Sequence, residues 1–462
     1  MGHAIHVRMA RDLCASYRRR KSGHRLGIFP AGDIMTGVAI TAAAVPLFFE
    51  LWLLEECRER AERALAALEH AKAADDRRKM LLFAAVTASQ AYTLTAARDT
   101  RSAWDATLKL AEKLGDTEYQ LRALWGIWGT HVNRGEFREG LAVARRFSKL
   151  ADTASDANDR LVGDRLTGAA LHFLGDQDRA REHIERMLGA YVRLTRRSHA
   201  VRFQSDQRVT AHMYLARIRW LQGFADQAMD IADSNLQDAQ RTSHPQSLCN
   251  ALAGAACPIA FLTGDLDAAQ RYTAMLLDQT ERAVLQIWRA HAVCFEGELL
   301  IRRGAIAQGL QRLHSGTEQL MRARFDQYIL AFMGVLAEGL IAAGQFSQAR
   351  DAVEDAIARS ERSDGRWCLP ELLRIRAMIE LRLEGSAGVA TAEAYLGRSF
   401  DLARAQAARA WELRAATDLA LLWREQDRSS EAGVLLSGVL GCFVEGRGTA
   451  DLRAATDLLQ TL

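Results

Sequence analysis

The residues best suited to chemistry form a polar run, Arg202, Gln204, Asp206, Gln207 and Arg208, at the head of an otherwise apolar segment. On a helix spanning about Ala200 to Leu221, Arg202 and Asp206 lie one turn apart and pair, with His199 and Phe203 beside them. Asp164 and Arg165 in the preceding segment, and Trp288, Arg289 and Glu296 further on, can face the same surface. Such a mixture of charges, an imidazole and an indole suits the binding of a protein, a peptide or a small effector. Ordinary salt-bridged helix faces, each pair worth only about 0–1 kcal/mol, are the commoner explanation of such residues.

Group-transfer chemistry finds no foothold in the sequence. Gly-x-x-x-x-Gly-Lys-Ser/Thr is absent, as are Gly-x-Gly-x-x-Gly after a strand and Gly-x-Ser-x-Gly. The 12 histidines never form His-Glu-x-x-His. His183 lies between Glu182 and Glu185 without a second histidine one turn on, and reads as a solvated helix face, not a zinc ligand. His172, shortly before Gly175, reads as a helix-end imidazole serving terminal carbonyls. The expectation is a protein that is not an enzyme and uses no metal or cofactor. The tryptophans Trp104, Trp125, Trp220, Trp411 and Trp423 fall in helical stripes and read as core.

The elements that must position these residues are helices joined by short turns. In Phe261-Leu-Thr-Gly-Asp-Leu-Asp-Ala-Ala269, Gly264 can end one helix in the left-handed conformation and Asp265 can cap the next. Ala269, five residues past the glycine, lets the second helix lie close against the first. The pairing recurs as Gly135/Gly140, Gly175/Ala180, Gly223/Ala228, Gly304/Gly309 and Gly344/Ala349, with imperfect copies at Gly385 and at Asp427/Ala432. Steps of roughly 40 residues place this in the range of stacked helical pairs. The stripe Ala349, Val353, Ile357 needs a neighbouring pair to cover it.

The +3 net charge is a local effect. Residues 1–27 hold seven Lys/Arg against Asp12 alone, so the remainder is about −3, which argues against direct nucleic-acid binding by the helical body. Residues 1–27 read as a basic, poorly ordered leader, and 28–462 as the helical array. The seven cysteines are scattered and point to reduced thiols in a cytoplasm. Ile34 to Phe49 is uncharged but short for a membrane span, and reads as a buried first helix. No membrane partner is expected.

From about Phe29 onward the chain resembles the carboxy-terminal, tetratricopeptide-like region of large bacterial transcriptional regulators. Those proteins join a winged-helix DNA-binding domain, or in relatives a nucleotide-cyclase domain, to a signal-transduction (STAND-type) P-loop ATPase and then to the repeats. The stretches that carry the likeness include Gly115-Asp-Thr-Glu-Tyr-Gln-Leu-Arg-Ala-Leu-Trp125, Asn133-Arg-Gly-Glu-Phe137 and Asp159-Arg-Leu-Val-Gly-Asp-Arg165. Ser198-His-Ala-Val-Arg-Phe-Gln-Ser-Asp-Gln-Arg208, Trp220-Leu-Gln-Gly-Phe224, Cys368-Leu-Pro-Glu-Leu-Leu-Arg374 and Trp411-Glu-Leu-Arg-Ala-Ala-Thr417 complete it. Asp427, Arg447-Gly448 and the leader depart from the family pattern.

The resemblance implies an all-α, right-handed α-solenoid of about nine tetratricopeptide-like hairpins, whose first helices line a concave binding face. Asp164, Arg165, His199, Arg202, Asp206, Arg208, Trp288, Arg289 and Glu296 are the candidate ligand residues on that face. It also implies a regulatory module in the cytoplasm without its own ATPase or DNA-binding domains. That module is either free-standing, with an upstream ATPase/DNA-binding protein as a possible partner, or a fragment of an ATP-dependent regulator or cyclase.

Overall fold

The computed structural model describes residues 34–51, 53–90, 100–191, 202–242, 244–283 and 285–462. Every regular element among them is helical. The basic leader, and most of the turn expected between Thr95 and Thr100, lie outside the described residues.

Among the described residues ten antiparallel hairpins follow one another. The first three are α1 (Ile34–Glu50) with α2 (Leu54–His70), α3 (Asp76–Gln90) with α4 (Thr100–Leu114), and α5 (Thr117–Asn133) with α6 (Phe137–Ala151). Next come α7 (Ala157–Leu174) with α8 (Gln177–Ala190), and α9 (Gln207–Leu221) with α10 (Ala225–Thr242). The sixth pairs α11 (Pro245–Thr263) with α12 (Leu266–Ala283), the seventh α13 (Gln286–Arg302) with α14 (Ile306–Arg322). The last three are α15 (Ile329–Ala342) with α16 (Phe346–Ser363), α17 (Leu369–Glu384) with α18 (Val389–Ala405), and α19 (Arg409–Arg424) with α20 (Ser429–Leu440). A closing helix, α21 (Ala450–Gln460), covers the end of the stack. The helices group into two compact units, one reaching Ala123 within α5 and the other running from Leu124 to Leu462.

The turns follow the local chemistry. Gly264 takes φ +84°, its amide and that of Asp265 close onto the end of α11, and Asp265 Oδ1 accepts from the Ala268 amide at 2.8 Å. Asp427, where the glycine is missing, still adopts φ +61°, a conformation that aspartate tolerates better than most side chains.

Small residues at the joints bring helices into backbone contact. A Cβ on Gly297 would sit 2.8 Å from Gly309 O, and one on Gly309 would sit 2.7 Å from Gly297 O. α13 and α14 therefore touch main chain to main chain.

In the first unit, Val38, Ala42 and Val45 of α1 are buried against Cys57, Ala61, Ala64 and Leu68 of α2. Ile40 and Leu47 on the opposite side are exposed, so α1 is buried on one face and not all round. Among the described residues one helix, Pro245–Thr263, is long and apolar enough to cross a membrane, and 89% of its apolar window is buried within the fold.

In the second unit the second helices bury one stripe, as Ala349, Val353, Ala356 and Ser360 do in α16, with Ile357 only half-buried. First helices such as α7, α9 and α17 are buried around most of their circumference. Such helices contact their own partner, both neighbouring hairpins and the side chains that fill the inner face.

Candidate functional site

Eight of the nine residues singled out from the sequence lie among the described residues, each with contacts of its own. The helix expected from Ala200 begins at Gln207, because Gln204 turns the chain at φ +57° and Asp206 acts as the N-cap. Asp206 accepts from the amides of Arg208 and Val209 at 2.9 and 3.3 Å, a capping role. Arg202 therefore pairs not with Asp206 but with buried Asp159 of α7, at 2.9 and 3.3 Å. Arg165 is 2% exposed, donates from Nε to Gln207 Oε1 at 2.9 Å and lies over the Trp128 ring. Asp164 turns to its own second helix, meeting His183 and Arg186 at 2.7 Å each.

Arg208 reaches the Leu188 carbonyl at 3.5 Å. Trp288 is buried against His291 and Phe325. Arg289 pairs with Glu281 at 3.0 Å and Glu296 with Arg312 at 3.2 Å. His199 lies outside the described residues. Asp164 and Glu296 thus pair within their own hairpins, while Arg165, Arg202 and Arg289 reach a neighbouring one.

The imidazole of His172 does not serve helix-end carbonyls. Its Nδ1 faces Gln177 Oε1 at 2.8 Å, while Gln177 Nε2 donates to the His172 carbonyl at 3.1 Å. Burial pushes the His172 pKa down to about 3, so the ring is neutral.

The inner face of the second unit is closed in part by its own aromatic side chains. Phe173 of α7 stacks on Phe137 at 4.6 Å and meets Tyr214, Tyr328 and Trp367 at 6.0, 5.6 and 6.4 Å between ring centroids. Its carbonyl accepts from the Trp367 amide at 3.2 Å. Arg217 lies 4.1 Å over the Tyr328 ring and donates from Nε to Gly254 O at 2.7 Å. Trp220 of the fifth hairpin meets Trp411 of the tenth edge-on at 4.7 Å. Hairpins far apart in sequence thus meet across the centre.

Beside this cluster a pocket remains, enclosing about 760 Å³ with its open mouth included. It is lined by first helices, or the turns that enter them, from α9 to α19. Phe261, Phe295 and Phe332 form one wall, and Leu372, Ile375 and Trp411 another. The lining also carries charge: Arg217, Glu298, Arg302, Glu338, Glu371 and Arg414.

Most of that charge is tied up. Arg374 donates to Glu371 at 2.8 and 2.9 Å, to Asp418 at 2.9 Å and to Glu338 at 3.0 Å. Arg414 joins Glu371 at 2.7 Å and Asp451 at 2.8 Å. Burial alone would raise the Glu371 pKa, but the guanidiniums of Arg374 and Arg414 outweigh it and hold it down at about 2. Burial pushes the Cys368 thiol well up, away from the thiolate that a nucleophile needs.

None of these wall residues was on the candidate list. Cys368, Glu371, Leu372, Trp411 and Arg414 do, however, lie in two stretches quoted for the family resemblance. A second signal was available: pairs such as Arg202–Asp159, Arg374–Asp418, Arg414–Glu371 and Trp411–Trp367 sit 43 or 44 residues apart. That offset is one repeat, so charges that look solvated along one helix are paired across to the next.

No family model matches the sequence. An uncharacterized protein of Rhizobium meliloti (strain 1021) is 26% identical over 259 residues, 55% of this chain. The chain spans about a quarter of the length of that relative (25%). In the crystal structure of the APC/C hetero-tetramer Cut9-Hcn1, a chain matches 98% of this one over 82% of its own length, with TM-score 0.54 and 13% identity. A weaker likeness, TM-score 0.41 at 10% identity, is to a signal transduction ATPase with numerous domains and a tetratricopeptide repeat sensor from Pyrococcus horikoshii. It covers 81% of this chain and 54% of that one. The fold is tetratricopeptide-like.

Proposed function

We propose that the chain is a non-catalytic binding module that seats a protein segment or peptide in the pocket walled by α11, α13, α15, α17 and α19. The observation that carries this reading is a pocket lined by apolar and charged side chains on the inner face of a helical-repeat stack. Concave faces of such stacks are their usual binding surfaces, and apolar walls with a few placed polar groups characterise ligand sites. The wall chemistry favours binding over catalysis, since the thiol is held protonated and Glu371 is pinned between two arginines. A role in transcription-linked signalling, in the cytoplasm, follows from the family resemblance and is part of the proposal.

Pools of blocked pentapeptides, each pool with one fixed central residue, titrated by calorimetry against the purified protein provide the test. Saturable binding is expected, and Ala331→Trp is expected to remove it with an unchanged melting curve, because half-buried Ala331 lines the pocket. Absence of binding, or binding indifferent to Ala331→Trp, would reject the site.

A second reading makes the array the sensor part of a larger ATP-dependent regulator. The matched segment makes up only 25% of the relative, and that share favours it. An adjoining upstream reading frame that ends in a P-loop ATPase is the expected finding, and an unrelated neighbour would count against it.

A further inference from the structure

The nature of the peptide can be narrowed from the pocket's charge, an inference that rests on the reading just given. Glu298 of α13 lines the pocket and is 6% exposed. Its partner is Arg302, one turn on, at 3.5 Å, the outer limit of a hydrogen bond. Arg302 is 40% exposed and is shared with Glu338 of α15 at 3.6 Å. Across the whole network Glu298, Glu338, Glu371, Asp418 and Asp451 are served by Arg302, Arg374 and Arg414. In this ion-pair network carboxylates outnumber guanidiniums; the lining's third arginine, Arg217, lies outside it against Gly254 O and the Tyr328 ring, and the weakest pairing is at Glu298. A buried carboxylate so weakly matched is costly unless a further cation reaches it.

Two polar atoms of lining residues are left unmatched. Trp367 Nε1–H and His291 Nε2 are buried and have no hydrogen-bond partner among the described residues. Nδ1 of His291 faces the Ile287 carbonyl at 2.9 Å, so it is the protonated nitrogen and Nε2 offers a lone pair. One donor and one acceptor are therefore available close to Tyr328, whose ring centroid is 6.4 Å from that of Trp367 and 6.2 Å from that of His291. Peptide groups carry the complementary acceptor and donor.

We propose that the pocket selects a peptide segment with a basic side chain, Lys or Arg, whose cation is held by Glu298 and Glu338 while neighbouring peptide groups meet Trp367 Nε1–H and His291 Nε2. The aliphatic stem of such a residue lies along the Phe295 and Phe332 wall, leaving its charged head at the carboxylates.

Binding is then pH-dependent. Burial pushes the Glu298 pKa up to about 7, with Arg302 of its own helix and Arg414 of α19 opposing and Glu338 of α15 reinforcing the rise. The neighbouring thiols Cys257 of α11 and Cys294 of α13 are themselves pushed up by burial and stay neutral. The ionised form that attracts a cation therefore grows as pH rises through 7.

The pentapeptide pools with Arg, Lys, Gln or Glu at the centre test this at pH 6 and pH 8. At pH 8 the Arg and Lys pools are expected to bind about tenfold more tightly than the Gln pool, the scale of one charged hydrogen bond. At pH 6 the advantage shrinks. Glu298→Gln is expected to bring the Arg pool down to the Gln pool, and Glu338→Gln to remove part of the preference. Circular dichroism establishes that each variant is folded, and the Glu338→Gln comparison stands alone if Glu298→Gln is not. Equal binding of the Arg and Gln pools, a Glu preference, or an Arg preference that survives both variants overturns the inference while leaving the peptide site intact. Failure of every pool to bind overturns both.

Discussion

Phe173→Ala is expected to destabilise the second unit by about 3–5 kcal/mol, the range for removing a buried phenylalanine. Phe173 is fully buried and touches rings from the third, fifth and eighth hairpins as well as Trp367 at the entry to the ninth. Most stacked-hairpin joints lose only nearest-neighbour contacts when a core side chain is cut. Here one truncation loosens contacts between hairpins that lie up to five steps apart in the array. Urea titration followed by helical circular dichroism measures the loss. Phe173→Leu, which keeps most of the volume, is expected to lose less than half as much. A Phe173→Ala protein that unfolds at the parent's midpoint would mean that the central cluster does not hold the hairpins together.

Gly309→Val is the second large effect. The new Cβ would stand 2.7 Å from Gly297 O and 2.8 Å from Ile301 N, both main-chain atoms of α13. A flexible side chain could move aside, but a helix backbone cannot without opening the whole joint. Overpacking costs typically 1–3 kcal/mol, and with two of the three nearest atoms in main chain, beside Ile301 Cγ1 at 2.6 Å, this case falls near about 3 kcal/mol. Gly304→Ala, at the turn just before, meets no atom within 4 Å but sits at φ +86°. Its cost is the smaller one of a left-handed backbone, about 1–2 kcal/mol. Urea midpoints of the two variants in parallel distinguish a packing joint from a turn, and the reverse order would contradict the assignment.

The hairpins were legible because their signals are local. A glycine or aspartate in the left-handed region, followed five residues later by Ala or Gly, marks a turn and a close joint within one short stretch, as Gly264 and Ala269 do. The pocket was hidden because its wall is assembled from one to five residues per first helix, spaced a repeat apart. The polar run at Arg202–Arg208 misled for a related reason. Arg202 and Asp206 have helical spacing, yet Asp206 belongs to the cap and Arg202 to a partner 43 residues earlier. The sequence Ser205-Asp206-Gln207, an N-cap type before an apolar run, already pointed to a helix start. Buried Arg165 and Arg217 were equally opaque, since sequence alone does not tell an arginine stacked on Trp128 or Tyr328 from a solvated one.

The account stands on the inner-face pocket as the place where a partner segment docks. Hydrogen–deuterium exchange with and without a saturating Arg-centred pentapeptide pool tests this most directly. Slowed exchange is expected in the first helices α13, α15 and α17, around Glu298, Ala331 and Leu372, with the outer helices α14, α16 and α18 unchanged. Protection confined to those outer helices, or none anywhere under conditions where the pool binds, would contradict it.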